Sequence, residues 1–201
     1  QVYMEVCSFC HGVEFIAFRN LIDMGLTEDE AKAAAEAVQI EDGPDDQGLM
    51  FMRAGRLSDR IPPPFPNENA ARAANGGALP PDLSLMTKAR PFGPDYVYAL
   101  LTGYEQAPDD VEIAPGMNYN PFYSGEQIAM FEPLFDGAVF FEDGTEATIE
   151  QMAEDITHFL MWTAEPKLDD RKRMGLGVMI FLVILTGMFI AVKRRVWADV
   201  H

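Results

Sequence analysis

The stretch Cys7-Ser8-Phe9-Cys10-His11 decides how the rest of the chain is interpreted. It has the form C-x-x-C-H, the signature of covalent haem c attachment. Because residues three apart share one face of a helix, both thiols can add to the two vinyl groups of one porphyrin edge while the imidazole reaches the iron. The motif therefore predicts one covalently attached haem c held by Cys7, Cys10 and His11.

Two other kinds of site use the same residue types. A thioredoxin-like redox pair belongs in a βαβ unit, which this Pro-rich and helix-dominated sequence does not offer. A four-cysteine zinc site and a disulfide framework are excluded by count, since Cys7 and Cys10 are the only cysteines. Haem attachment is accordingly the interpretation that the residues favour.

The iron then needs a sixth ligand or an open position. His158 lies in a predicted helix, and His201 lies beyond an apolar C-terminal segment. A thioether would raise the reduction potential, whereas His158 would lower it. Spacing does not choose among the methionines outside the apolar segment that we consider, which are Met24, Met50, Met52, Met86, Met117, Met130, Met152 and Met161.

The apolar segment runs from Met174 to Val192 without one charged residue. At 1.5 Å per residue it would span about 29 Å, close to the hydrocarbon thickness of a bilayer, and it predicts a transmembrane helix. Basic residues flank it on both sides, so the positive-inside rule does not set its orientation. We expect a cytochrome c-type haem domain at 1–165, a basic juxtamembrane segment at 166–173, the span at 174–192 and a short basic tail at 193–201.

Charge is unevenly distributed along the chain. Its 15 Lys and Arg stand against 32 Asp and Glu, a net charge of -17. Residues 166–201 hold seven basic and three acidic residues, and this balance of +4 leaves -21 for residues 1–165. Such a field excludes nucleic acid as a partner and would steer a basic protein to the acidic part, although a merely well-solvated surface is the simpler alternative. The first residues lack the charged and apolar regions of a targeting segment.

Three helices have recognisable start signals. Thr27-Glu28-Asp29-Glu30 is a capping box whose helix should run to about Val38. Gly93-Pro94 begins a helix that Gly103 ends. Thr148-Ile149-Glu150-Gln151 is a second capping box, and its helix carries Ile156, Phe159, Leu160 and Trp162 before Pro166 interrupts it.

Two stretches lack a helical signal. Glu41 to Pro81 is rich in Pro, Gly, Asn and Asp without a sustained period, which predicts loop or disorder. Ala138 to Ala147 contains Asp143-Gly144 between short apolar-leaning runs, which predicts a small hairpin. Strand content should otherwise be slight, and the fold class should be mainly α.

Several segments, taken together and in order, resemble the cytochrome c1 family over nearly the whole chain. The stretch from Gln1 to His11 is similar to the family's haem segment, and Ala70 to Ser84 is similar to its proline-containing haem-packing loop. Further similar segments are Tyr96 to Tyr104, Tyr119-Asn-Pro-Phe122, Glu142-Asp-Gly-Thr145, Phe159-Leu-Met-Trp162, Ala164-Glu-Pro166 and Arg171-Lys-Arg-Met-Gly-Leu176.

The resemblance implies a class I cytochrome c-like fold with long loops and a single C-terminal anchor. It implies that His11 is the proximal ligand and that Met130, within Gly125-Glu-Gln-Ile-Ala-Met130, is the distal one. Arg90 matches the family's arginine near a haem propionate, where a charge-assisted contact would form; on its own it reads as a solvated surface charge. The haem-pocket positions that match are Tyr96, Asn75 and Pro81.

The same resemblance implies a function without catalysis of its own. As the haem subunit of a ubiquinol:cytochrome-c reductase, the cytochrome bc1 complex or respiratory complex III, the chain would take electrons from the Rieske iron-sulfur protein. It would pass them to soluble basic cytochrome c within proton-translocating respiratory electron transport. Cytochrome b and the other complex III subunits are the further partners implied, and nucleic acid is not among them.

Family members place the haem domain on the positive side of the membrane. The short acidic region Glu105 to Gly116 resembles the compact mitochondrial form, and the chain cannot form the disulfide that some relatives carry before the distal Met. We therefore expect the mitochondrial inner membrane, with the domain facing the intermembrane space, and a bacterial periplasmic side as the alternative. Rival functions are a haem-based sensor with an open sixth position and a haem subunit of a terminal oxidase or dehydrogenase.

Overall fold

A computed structural model describes residues 1–141 and 143–199. Glu142, within the predicted hairpin, and His201, one of the histidines considered above, lie outside the described residues. The described chain is mainly helical with little sheet, as the sequence predicts. It divides into two compact units, one of residues Gln1–Ala164 and one that begins at Glu165.

The first unit is organised around its longest helix. Buried side chains of that helix form the centre of the core, because Met152, Ala153, Ile156 and Leu160 recur on one face. In chain order the helices are α1 Val2–Glu5, α2 Glu28–Glu36, α3 Glu68–Ala74, α4 Met86–Ala89, α5 Pro94–Thr102 and α6 Ile149–Ala164, with 3₁₀ turns at Cys7–Phe9 and Phe18–Met24. Helices α1, α4 and α5 pack against α6, the longest of these.

The predicted helix starts are confirmed. The Thr27 hydroxyl accepts from the Glu30 N–H, and the Glu30 carboxylate accepts from the Thr27 N–H at 2.7 Å. Helix α5 begins at Pro94 and ends just before Gly103. The Thr148 hydroxyl accepts from the Gln151 N–H at 3.2 Å at the start of α6. These caps satisfy N–H groups that a helix leaves unpaired at its first turn.

The prediction of loop or disorder from Glu41 to Pro81 is wrong in part. Strand β1, Gln39–Asp42, pairs antiparallel with β2, Phe51–Ala54, and α3 lies further along the same stretch. The apolar side chains of β2 are exposed, so burial does not explain the hairpin. Arg53 instead bridges Asp42 and Asp59, with 3.0 Å between its Nη2 and the Oδ1 of Asp59.

The predicted hairpin from Ala138 to Ala147 is also wrong, since its described residues contain a turn and no strand. The Gly144 N–H donates to the Phe141 carbonyl at 3.1 Å, and the ends meet where the Gly137 N–H donates to the Ala147 carbonyl at 2.8 Å. Phe140 is 79% exposed. Val139 is buried and Phe141 packs against the core, so the core and not strand pairing holds this segment.

The second unit contains α7, Leu168–Val196. This helix includes all of the predicted span and is long and apolar enough to cross a membrane, which makes it a candidate membrane span. Near the start of this helix, Arg171 pairs with Glu165, which precedes it, at 2.8 Å between Nη2 and Oε1. The helix thus begins ahead of its apolar part and carries the flanking basic residues at both ends.

Candidate functional site

The C-x-x-C-H segment forms one short helical turn. The 3₁₀ turn Cys7–Phe9 follows α1, and the Cys7 carbonyl accepts from the N–H groups of Cys10 at 3.1 Å and His11 at 2.9 Å. Both cysteines are half-buried, and no disulfide joins them. The turn therefore places two sulfurs and an imidazole within one loop of backbone, as the spacing predicts.

The Cys7 thiol is poorly suited to redox chemistry. Burial, with a further contribution from Cys10, raises the pKa of Cys7 to about 12. Reactive C-x-x-C pairs have a thiol whose pKa lies below the ordinary value, because the thiolate is the reacting species. The direction of this shift is opposite to the one expected for a reactive thiol.

The imidazole of His11 is oriented by a backbone carbonyl. Its Nδ1 lies 2.8 Å from the Pro81 oxygen. A carbonyl can only accept, so Nδ1 carries the proton and Nε2 keeps its lone pair. Burial also lowers the pKa of His11, which favours the neutral ring. A neutral imidazole with one nitrogen bonded to a carbonyl is the arrangement of a metal-ligating histidine, so this residue fits a haem iron.

The loop that supplies the Pro81 carbonyl is itself tied to the chain after His11. The Leu83 N–H donates to the Gly12 carbonyl at 2.8 Å, and the Glu14 N–H donates to Oδ2 of Asp82 at 2.8 Å. Three successive residues of the loop thus contact His11 and two residues that follow the haem-attachment motif. Pro81 was predicted to line the pocket, and the structure places it directly against His11.

Tyr3 also contacts the haem-attachment segment. Its hydroxyl donates to the His11 carbonyl at 3.1 Å, and its ring lies 5.2 Å from that of Phe159 in α6. Tyr3 is buried, and burial raises its pKa, so the hydroxyl remains a donor. The sequence assigned no role to Tyr3, because a contact between α1 and α6 leaves no local pattern.

Met130 is half-buried and packs against the core. Its carbonyl accepts from the Tyr104 hydroxyl and from the side-chain amide of Asn118, each at 3.2 Å. Burial raises the pKa of Tyr104, with smaller contributions from Glu132 and Tyr96, which keeps its hydroxyl protonated. Neither Tyr104 nor Asn118 was singled out from the sequence.

A small two-stranded sheet carries the chain toward Met130. Strand β3, Asn118–Tyr119, pairs antiparallel with β4, Gln127–Ile128. Between them Asn120 is fully buried, and its amide donates to the Leu100 carbonyl at 2.8 Å while its Oδ1 accepts from the Phe122 N–H. Asn120 therefore connects this loop to α5, and its hydrogen bonds give a structural reason for an asparagine within the Tyr119 to Phe122 segment.

The other predicted pocket residues, Arg90, Tyr96 and Asn75, do not all lie together. Arg90 and Tyr96 share one cleft of about 650 Å³, and Arg90 is exposed there. Asn75 follows α3, and its amide donates to the Ala71 carbonyl at 2.7 Å. The remaining residues that line the cleft are Pro91, Phe92, Asp95, Ala99, Pro121, Phe122, Tyr123 and Ser124.

Burial separates the candidate sixth ligands. His158 is exposed on α6, and Met152 is fully buried in the core, where a thioether acts as filler. Exposed thioethers are found at Met24, Met50 and Met52. The half-buried ones are Met86, Met117, Met130 and Met161. Among the described residues of this group, Met130 is distinguished by the two side chains that fix its carbonyl.

Comparison with known proteins gives consistent matches along the chain. The sequence model described as "Cytochrome C1 family" matches residues 1–200. The Schizosaccharomyces pombe protein named "Cytochrome c1, heme protein, mitochondrial" is 55% identical over 200 residues, which is 100% of this chain and 65% of that protein. The Kluyveromyces lactis protein of the same name is 52% identical, over 100% of this chain and 69% of its own length.

A bacterial relative shows a different chain organisation. The Bradyrhizobium diazoefficiens protein named "Cytochrome b/c1" is 48% identical over 223 residues, which is 100% of this chain and 32% of that protein. The chain thus spans about a third of this relative and 65% of the Schizosaccharomyces pombe protein. These matches cover the whole of this chain, and about half of its residues are identical to those of the relatives. The chain therefore belongs to the cytochrome c1 family.

Proposed function

We propose that the chain is a one-electron carrier that holds one haem c covalently through Cys7 and Cys10. The observation that carries this proposal is the His11 imidazole, whose Nδ1 is bonded to the Pro81 carbonyl beside the C-x-x-C turn. That arrangement leaves Nε2 free to serve as the proximal iron ligand. When bound, haem c supplies a one-electron iron couple.

Met130 is the distal ligand in this proposal, with His11 and Met130 as the two axial groups. A thioether stabilises reduced iron and raises the reduction potential, which suits an acceptor late in an electron-transport chain. Arg90 would face a propionate from the cleft that it shares with Tyr96. Tyr96, Asn75 and Pro81 would complete the surroundings of the haem.

The proposed organisation assigns 1–165 to the haem domain, 166–173 to the basic juxtamembrane segment, 174–192 to the membrane span and 193–201 to the tail. The membrane is the mitochondrial inner membrane, and the haem domain faces the intermembrane space. Names of the relatives from yeasts, which include "mitochondrial", support this location. The name "Cytochrome b/c1" of the Bradyrhizobium diazoefficiens protein supports cytochrome b as a partner.

The chain would act as a subunit of ubiquinol:cytochrome-c reductase together with the other complex III subunits. It would receive electrons from the Rieske iron-sulfur protein and deliver them to soluble basic cytochrome c. The net charge of -21 on residues 1–165 supports a basic partner that is steered to the surface and bound weakly. Exposed acidic residues in 109–112 belong to the surface available for such steering.

A redox titration of the purified membrane protein, followed by optical spectra with and without carbon monoxide, tests the proposal. A low-spin c-type spectrum, a clearly positive potential and indifference to carbon monoxide are expected. A strongly negative potential would assign the sixth position to His158. Ready binding of carbon monoxide would contradict the carrier and favour a haem-based sensor.

A further inference from the structure

The carbonyl oxygen of Met130 is held by two side chains from different elements. Tyr104 follows α5, and Asn118 lies in β3, and each places its donor 3.2 Å from this oxygen. A carbonyl oxygen has two lone pairs, so the two donors use its full capacity. We refer to Tyr104 and Asn118 as the Met130 clamp.

Both donors are fixed by the structure around them. Tyr104 is half-buried, two residues beyond the last residue of α5. Asn118 stands opposite Ile128 in the β3–β4 pair, and Ile128 is buried. The clamp therefore connects the backbone of Met130 to α5 on one side and to its own supporting sheet on the other.

We propose that Tyr104 and Asn118 are positioning residues that keep the Met130 thioether on the haem iron and so close the sixth position to external ligands. This inference rests on the proposed function, in which Met130 is the distal ligand. It adds a role for two residues that neither touch the iron nor belong to the haem-attachment motif.

The physical reason is the freedom of the methionine side chain. Methionine has three rotatable bonds, so its side chain alone does not hold the sulfur in one position. A fixed backbone limits the positions that the sulfur can reach and thereby keeps it at the iron. The apparent affinity for an external ligand is proportional to the fraction of molecules whose sixth position is open. Loss of one clamp hydrogen bond would raise that fraction by up to about fivefold, and loss of both by up to about 25-fold.

The test uses the full chain with its haem, purified in detergent. Tyr104→Phe removes one donor and keeps the ring, Asn118→Ala removes the other, and a double variant removes both. Carbon monoxide is titrated into the reduced protein, and the weak red absorption band of sulfur ligation is recorded in the oxidised protein. Each single variant is expected to bind carbon monoxide up to about fivefold more tightly, with a weaker band.

Tyr98→Phe is the matched control, because it is the same change on the exposed surface of α5 and lies outside the clamp. It should leave both readouts at the parent values. Equal opening by Tyr98→Phe and Tyr104→Phe would overturn the proposal, since general loosening of α5 would then explain the effect. Tyr104 and Asn118 come from separate elements. If one single variant fails to load haem, the other single variant still tests the proposal.

Met130→Leu separates this proposal from the function on which it rests. If Met130→Leu opens the iron while both clamp variants retain parent affinity and an unchanged band, the clamp proposal fails and the ligand assignment stands. If Met130→Leu binds carbon monoxide no better than the parent, Met130 is not the ligand, and both fall.

Discussion

The two sides of the proposed haem site are built in different ways. On the His11 side, Cys7, Cys10 and His11 lie in one turn of backbone, and the Pro81 carbonyl orients the ring. On the Met130 side, the residue follows a small sheet and is held by side chains 26 and 12 positions away in the sequence. The attachment and ligand residues of the first side lie in a local motif, although the contact with Pro81 spans 70 positions, whereas the second side has no such motif and depends entirely on contacts between elements.

The largest expected effect is on the His11 side. A Cys7→Ser/Cys10→Ser double variant should lose covalent haem altogether, because no other thiol exists in the chain. Haem staining after denaturing electrophoresis measures this directly. Ser8→Ala, between the two cysteines, is the control and should retain full staining, since within the described part of the chain its hydroxyl bonds to the local Met4 carbonyl. Haem staining of the double variant would contradict attachment at this motif.

The next effect distinguishes the two rival ligands on the distal side. Met130→Leu should lower the reduction potential and raise the affinity for carbon monoxide at least about tenfold, because the sixth position is then always open. His158→Gln should change neither quantity, since His158 is exposed on α6. Potentiometry and carbon monoxide titration measure both. A rise in carbon monoxide affinity for His158→Gln alone would reverse the assignment.

The contrast between the two sides also explains what the sequence could predict. C-x-x-C-H is a local pattern, and so are the capping boxes at Thr27 and Thr148, and the structure contains each predicted helix start. Met130 could be chosen only through resemblance to the family, because no spacing rule connects it to Tyr104 or Asn118. Tyr3 was missed for the same reason, since its partners lie in other elements.

The two errors in secondary structure have a related cause. The β1–β2 hairpin has exposed apolar residues, and Arg53 of β2 pairs with Asp42 of β1 and with Asp59 beyond the hairpin. Neither alternation nor burial therefore indicates it in the sequence. The segment around Asp143-Gly144 carries a strong turn signal, but its buried Val139 packs into the core and no strand forms in its described residues. Turn chemistry is thus readable from sequence, whereas the pairing of strands requires contacts that lie elsewhere.

A third prediction compares equivalent hydroxyls on the two sides. Tyr3→Phe removes the donor to the His11 carbonyl, as Tyr104→Phe removes one to the Met130 carbonyl. We expect Tyr3→Phe to lower the free energy of unfolding by about 1 kcal/mol. It should leave carbon monoxide binding unchanged, because thioether bonds to haem would hold His11 in place. Urea unfolding and carbon monoxide titration together test this, and opening of the iron by Tyr3→Phe would remove the difference between the sides.

The smallest effect lies in the β1–β2 hairpin, outside both sides. Asp59→Asn weakens the pairing with Arg53 and should cost about 0.5 kcal/mol near neutral pH without any change at the iron. Arg53, as the main cause, lowers the pKa of Asp59 from 3.8 to about 2. A lowered folded-state pKa contributes stability above the unfolded-state value and loses it as the pH falls toward the folded-state value.

The deficit of Asp59→Asn relative to the parent should therefore shrink between about pH 4 and pH 2, where the parent carboxylate becomes protonated. Urea unfolding of both proteins across this range measures the difference between their free energies of unfolding. The contributions of the other titrating groups largely cancel in that difference. If Asp59→Asn instead raised carbon monoxide affinity as Tyr104→Phe does, loss of stability alone would open the iron. Closure of the sixth position would then depend on the stability of the whole first unit and not on the Met130 clamp. The two sides would no longer differ in the contacts that hold them.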